Sequence, residues 1–168
     1  MSSFEIEQKY CCENLAAIRK KLIGFKARLM NKGFEQNELW DLNGKLAQKK
    51  SVLRLRRHGK VVELTFKGPR LKSKYSKRIE FQSPVEYAPT KAILTALGYR
   101  VSRKYSKKRE VYRLGRLLVT LDSLPRLGSY VELEGSVQDI TRVASQLGFS
   151  EKDREERSYL AMLFNPKG

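Results

Sequence analysis

Glu5-Ile6-Glu7-Gln8-Lys9 puts a charged side chain at every second position, with isoleucine and glutamine between. In a β-strand alternate residues share a face, so both carboxylates and the ammonium point the same way. Two carboxylates roughly 7 Å apart suit a hard cation, and a lysine one step further suits an anion carried by that cation. A solvated strand face produces the same spacing, so the pentapeptide alone leaves both readings open.

The alternation recurs along the chain. Arg54 and Arg56 oppose Leu53 and Leu55; Glu63, Thr65 and Lys67 oppose Val62, Leu64 and Phe66; Arg78, Glu80 and Gln82 oppose Ile79 and Phe81. Further on, Thr120 and Asp122 oppose Val119 and Leu121, and Tyr130, Glu132 and Glu134 oppose Val131 and Leu133. Only Arg103 to Arg109 is charged on both faces. Strands are expected at 3–10, 33–41, 51–58, 60–67, 74–83, 100–113, 116–122 and 128–135, several separated by turn signals such as His58-Gly59 and Gly68-Pro69. Helical periodicity predicts helices over Glu13–Met30, Pro89–Leu97, Ser136–Leu147 and Glu155–Phe164.

Eight strands with few helices point to an α+β fold, an antiparallel closed β-barrel with helices packed outside. An ordinary half-exposed sheet explains apolar-in, charged-out alternation. Here, however, arginine and lysine gather on the middle strands and paired carboxylates on the terminal ones. A barrel with a polar interior accounts for that segregation, provided opposite charges, metal and a polyanionic ligand compensate one another.

Composition narrows the function. At 168 residues the expectation is a single domain spanning 1–168, and 40% hydrophobic content is that of a globular chain. No apolar run reaches membrane-spanning length and no signal-like segment opens the chain, so a cytoplasmic protein is expected. Cys11 and Cys12 are vicinal and read as inert reduced thiols. A single histidine, His58, in a polar Arg-Arg-His-Gly turn, speaks against a histidine triad or zinc centre. The net charge of +17 calls for polyanionic partners: nucleic acid, an anionic membrane surface or phosphate-rich small molecules.

Glu5-Ile6-Glu7-Gln8-Lys9, Leu53-Arg54-Leu55-Arg56, Leu64-Thr65-Phe66-Lys67-Gly68-Pro69, Lys107-Lys108-Arg109, Leu121-Asp122 and Leu127 to Glu134 stand in the order seen in CYTH domains. The chain thus resembles the triphosphate tunnel metalloenzymes, which include class IV adenylate cyclases, thiamine triphosphatases and inorganic tripolyphosphatases. Glu156-Arg157-Ser158-Tyr159-Leu160 is similar to the family's closing helix. The resemblance implies an eight-stranded tunnel that binds a triphosphate. It assigns metal binding to Glu5, Glu7, Asp122, Glu132 and Glu134, and triphosphate binding to Lys9, Arg54, Arg56, Lys67, Arg78, Lys107 and Arg109. Lys67, Glu5 and Glu7 are the implied catalytic group. Glu80 is carried over less firmly, because Gln82 stands where the family's R-x-E-x-E has its last carboxylate. Asn37-Glu38-Leu39-Trp40-Asp41 is the nearest segment to the family's D-x-Y-x-D, and Leu39 in the tyrosine's place argues against dedicated thiamine triphosphate hydrolysis.

The implied enzyme uses Mg²⁺ or Mn²⁺, since only hard oxygen ligands are present. Its partner is a triphosphate-containing small molecule, namely tripolyphosphate, ATP or another nucleoside triphosphate; no membrane is involved, and the protein is a monomer or homodimer. Hydrolysis of the terminal phosphate is preferred, with CyaB-type cyclisation of ATP to cyclic AMP as the alternative. A basic nucleic-acid-binding module with a degenerate tunnel is the remoter rival. The matched interior carries seven cations against six carboxylates, so most of the excess charge belongs elsewhere. Trp40 and Tyr159 read as packing groups.

Overall fold

Period-two patterning of apolar and charged residues does become antiparallel sheet. The computed structural model describes residues 3–165. In chain order the elements are β1 (Ser3–Cys11), α1 (Leu15–Gly24), β2 (Arg28–Asp41), α2 (Lys45–Gln48), β3 (Val52–His58), β4 (Val61–Lys67) and β5 (Ser76–Pro84). There follow α3 (Tyr87–Ala96), β6 (Arg100–Leu114), β7 (Leu117–Leu124), β8 (Gly128–Glu134), α4 (Val137–Leu147), β9 (Arg154–Glu155) and α5 (Tyr159–Phe164). The hydrogen-bonded strand order is β5-β4-β3-β2-β6-β7-β8-β1-β9, with a further β5–β1 pairing. Eight strands therefore close into the antiparallel barrel expected, with five helices outside it.

The helices depart from expectation in three places. The first ends at Gly24 rather than Met30, although Phe25 and Leu29 continue its apolar period. The chain turns left-handed at Lys26 (φ 57°), and Ala27 donates its N–H back to the Leu22 carbonyl at 2.9 Å, a Schellman-type stop. The last helix begins at Tyr159, where the Ser158 side chain accepts from the Ala161 N–H, while Glu155 is taken into β9. The short α2 carried no periodic signal; the Asp41 carboxylate caps it by accepting from Leu46 and Ala47 N–H at 3.0 Å each. His58 is not in a polar turn but is the buried last residue of β3.

The chain forms two compact units. One gathers Gly33–Lys107 with β1 up to Glu5. Its core is Trp40, Leu55 and Leu94, packed with Leu53, Leu64 and Tyr87, which bears out Trp40 as a packing residue. The other gathers Ile6–Lys32 and the chain from Lys108 onward. There Val119, Leu121, Val131 and Leu133 are fully buried on the β7–β8 pair, and α1 and α4 both meet β8. Ile140, Val143, Ala144 and Leu147 form the buried stripe of α4, a helix started by Ser136 and stopped by left-handed Gly148. Each valine, leucine or isoleucine side chain contributes about 1.5–3 kcal/mol when fully buried.

Candidate active site

Within the first unit the expected residues form two ion clusters. Lys67, at the end of β4, is 8% exposed and places Nζ 2.6 and 2.8 Å from the two oxygens of Glu5 and 2.9 Å from Oε2 of Glu80. The strand register sets Lys67 directly across from Glu80 on β5. Arg78 adds Nε at 3.4 Å from Glu5. Burial opposes charge on Glu80, but the Lys67 ammonium, with Glu5 and Arg54 beside it, holds its carboxyl below the usual range.

The second cluster turns on Glu35 of β2, which has no exposed surface. Arg56 Nη1 and Lys107 Nζ lie 3.7 and 3.6 Å from its oxygens, and the Asn37 amide donates to it at 3.0 Å. Arg56 is shared with Glu63, which also accepts from Gln82. Glu35 and Glu63 belong to this ion cluster, and the motif comparison did not single them out. The signal for Glu35 was its parity with Asn37, two residues on, in the D-x-Y-x-D-like stretch.

The other unit holds the third cluster. Arg109 on β6 donates Nε to Oδ1 of Asp122 at 2.6 Å and Nη2 to Oδ2, and Nη2 also reaches Glu132. Register explains the fork, since Arg109 lies directly across from Asp122 on β7. The Tyr159 hydroxyl donates to Asp122 Oδ2 at 2.8 Å. Burial, with Glu132 and Asp122 nearby, pushes the Tyr159 phenol well above its ordinary pKa. Lys9 stands 3.9 Å over the Tyr159 ring, 3.7 Å from Glu132, and donates to the Arg157 carbonyl at 2.8 Å. Tyr159 is therefore both a packing group and a polar member of this cluster.

Glu7 and Glu134 sit directly across from each other in the β1–β8 register, next to the Lys9–Glu132 pair. Like charges in facing positions destabilise a sheet unless a cation lies near. Among the described residues no three His, Cys, Asp or Glu side chains gather into a metal cage. Paired carboxylates are nonetheless the donor set that fits Mg²⁺-like ions, which keep several waters and take the rest of their oxygens from phosphate. Cys11 and Cys12 are free, and burial pushes both thiols above their ordinary pKa, consistent with inert thiols.

Comparison with known proteins decides the family. The CYTH domain profile matches residues 5–159. The chain belongs to the CYTH family. Adenylate cyclase CyaB of Aeromonas hydrophila is 28% identical over 170 residues, covering 93% of this chain and 86% of the relative. A Vibrio parahaemolyticus protein of solved structure has a TM-score of 0.86 at 24% identity, over 97% of this chain and 99% of that one. A Hippeastrum protein, whose structure is described with a dominant triphosphatase activity, shares the fold with a TM-score of 0.67 at 16% identity, over 100% of this chain and 97% of the other. CYTH proteins are metal-dependent triphosphatases or adenylate cyclases, so a metal-dependent enzyme acting on triphosphates, as expected from sequence, stands at the level of the family. No helix among the described residues is long and apolar enough to cross a membrane.

Proposed function

We propose that this CYTH protein, acting as one functional domain, cleaves the terminal phosphate of inorganic tripolyphosphate or a nucleoside triphosphate with Mg²⁺ or Mn²⁺. One observation carries the proposal: Lys9, Lys67, Lys107 and Arg109 are each no more than 8% exposed, yet each is held by carboxylates. Buried cations already fixed in place suit a polyanion, because phosphoryl transfer depends mainly on positioning and charge neutralisation.

Each carboxylate then has a role. Glu5, Glu7, Glu132 and Glu134 would hold the metal, which would supply charge neutralisation at the phosphates and activation of water. Asp122 has both oxygens engaged by Arg109 and Tyr159, so we assign it to aiming the Arg109 fork and not, as its motif implied, to ligation. Glu35 does the same for Arg56 and Lys107. Lys67 exchanges Glu5 and Glu80 for phosphate oxygens and neutralises charge as the reaction proceeds, while Arg54 and Arg78 add further cations. Exposed Lys20, Lys21, Lys49 and Lys50 belong to the excess positive charge, which steers polyanions by long-range attraction.

The cyclase reading is favoured by one specific observation, the Aeromonas relative named as an adenylate cyclase. Purified protein is incubated with Mg²⁺ or Mn²⁺ and tripolyphosphate, ATP or thiamine triphosphate, and phosphate, pyrophosphate and cyclic AMP are measured. Phosphate from tripolyphosphate or ATP supports the hydrolase. Cyclic AMP with pyrophosphate from ATP replaces it with the cyclase. No product from any substrate refutes both, and metal-independent binding of nucleic acid that survives Glu5→Gln/Glu7→Gln would establish the binding module instead.

A further inference from the structure

The first unit contains a cavity of about 420 Å³ that the proposed reaction does not use. Its wall includes Glu38 from β2, Leu55 and Arg57 from β3, Tyr87 from α3 and Lys104 and Tyr105 from β6. None of these is a cation or carboxylate of the ion clusters above. The volume lies within the range of small-molecule sites, which pair apolar and aromatic walls with a few placed polar groups.

Glu38 is the group without an explanation. It is 8% exposed, and only Oε1 is engaged, by Lys104 at 3.1 Å and Lys91 at 3.7 Å. Oε2 is buried and has no hydrogen-bond donor. The neighbouring Asn37 also lines the cavity and leaves Oδ1 buried without a donor, while its amide is used on Glu35. A buried acceptor left unmet is destabilising, so a ligand bringing N–H donors is favoured here.

The remaining lining defines that ligand further. Tyr87 presents its ring beneath two cations, with Arg57 at 5.0 Å and Lys91 at 5.6 Å from the centroid, and Tyr105 adds a second aromatic wall. Of the charged side chains that line the cavity, Arg57 and Lys104 outweigh Glu38, so the site favours an anion over a polyamine. A planar ring for the tyrosines, an amine for Glu38 and a phosphate for the cations are the parts of one molecule. We propose that this cavity binds an adenine nucleoside monophosphate, with the exocyclic amine on Glu38 and the phosphate toward Arg57 and Lys104, at a site separate from the triphosphate-handling residues.

The test is calorimetric titration of the full chain with AMP in chelator, where no metal-dependent turnover occurs, against UMP, ribose 5-phosphate and inorganic phosphate. Saturable AMP binding at least tenfold tighter than the other three is expected. Glu38→Gln and the exposed Lys104→Ala should each weaken it at least fivefold, while Arg54→Ala and Glu5→Gln leave it unchanged. Tyr87→Leu, with folding checked by circular dichroism, should weaken it as well. Absence of saturable binding overturns the proposal; so does equal affinity for ribose 5-phosphate, or loss of binding in Arg54→Ala. Triphosphate hydrolysis is scored separately with Mg²⁺ and tripolyphosphate, so failure of either proposal is seen independently of the other.

Discussion

The Tyr159 hydroxyl donates to the same carboxylate, Asp122, that grips the Arg109 guanidinium through both oxygens. One tyrosine thereby steadies an arginine it does not itself pair with. Tyr159→Phe keeps the ring under Lys9 and removes only this donor. We expect a folded protein whose KM for triphosphate rises several-fold with a smaller change in kcat, an effect of about 1–2 kcal/mol, typical of losing one charge-assisted hydrogen bond. Steady-state kinetics on the parent and the variant measures the split; an unchanged KM assigns Tyr159 to packing alone.

Lys67 is shared by Glu5 and Glu80, and its loss leaves two buried carboxylates facing each other. Lys67→Met is expected to lower kcat/KM at least about 100-fold, as when a preorganised charge-stabilising group is removed. It also destabilises the protein, and adding Glu80→Gln recovers stability without activity. Thermal unfolding and phosphate release on the single and double variants separate these effects. Recovery of both together would mean Lys67 serves the fold only.

Glu7 faces Glu134 across the β1–β8 pair. In chelator, Glu134→Gln should unfold at a higher temperature than the parent, because a like-charge opposition is relieved. With Mg²⁺ the order reverses: at 100 times the dissociation constant the parent gains about 2.7 kcal/mol, and the variant gains less. Calorimetric scans with and without Mg²⁺ give both numbers, and an equal Mg²⁺ response removes Glu134 from the ligand set.

A pH experiment tests the surface tie between α1 and β6. Arg19 bonds both oxygens of Glu110, and this hydrogen-bonded pair, helped by Tyr112, holds the Glu110 pKa down to about 2 from 4.5. A depressed carboxylate contributes stability above its unfolded pKa and loses it as pH falls through the folded one. The stability gap between parent and Glu110→Gln should therefore be constant above pH 4.5 and close between 4.5 and about 2. Urea midpoints across that range check it; a gap independent of pH refutes the assignment.

Strand positions were legible because burial on one face imposes a period of two on the residues themselves, as Val119 and Leu121 against Thr120 illustrate. Helix ends were legible where a cap marks them, as Ser136 and Gly148 do for α4, but not at the end of the first helix. Nothing in Phe25 or Leu29 announces that Lys26 will turn left-handed, since the stop is set by backbone hydrogen bonds and no distinctive residue marks it. Motif matching likewise found the cations but missed Glu35, whose meaning comes from Arg56 and Lys107, 21 and 72 residues away in sequence. Tyr159 of α5 read as a packing group in sequence because its hydroxyl partner, Asp122, lies 37 residues away on β7.

The pairing of β1 with β8 and β9 has a consequence for biosynthesis. During synthesis β1 can meet β5 once Ser76–Pro84 is made, but β8 and β9 exist only after Gly128 to Glu155 have been added. Until then the edge of β1 that pairs with β8 is open, the kind of segment that seeds aggregation. Charged side chains on an edge strand oppose such wrong pairing, so Glu5, Glu7 and Lys9, proposed to handle metal and phosphate in the finished barrel, also suit the strand to that wait.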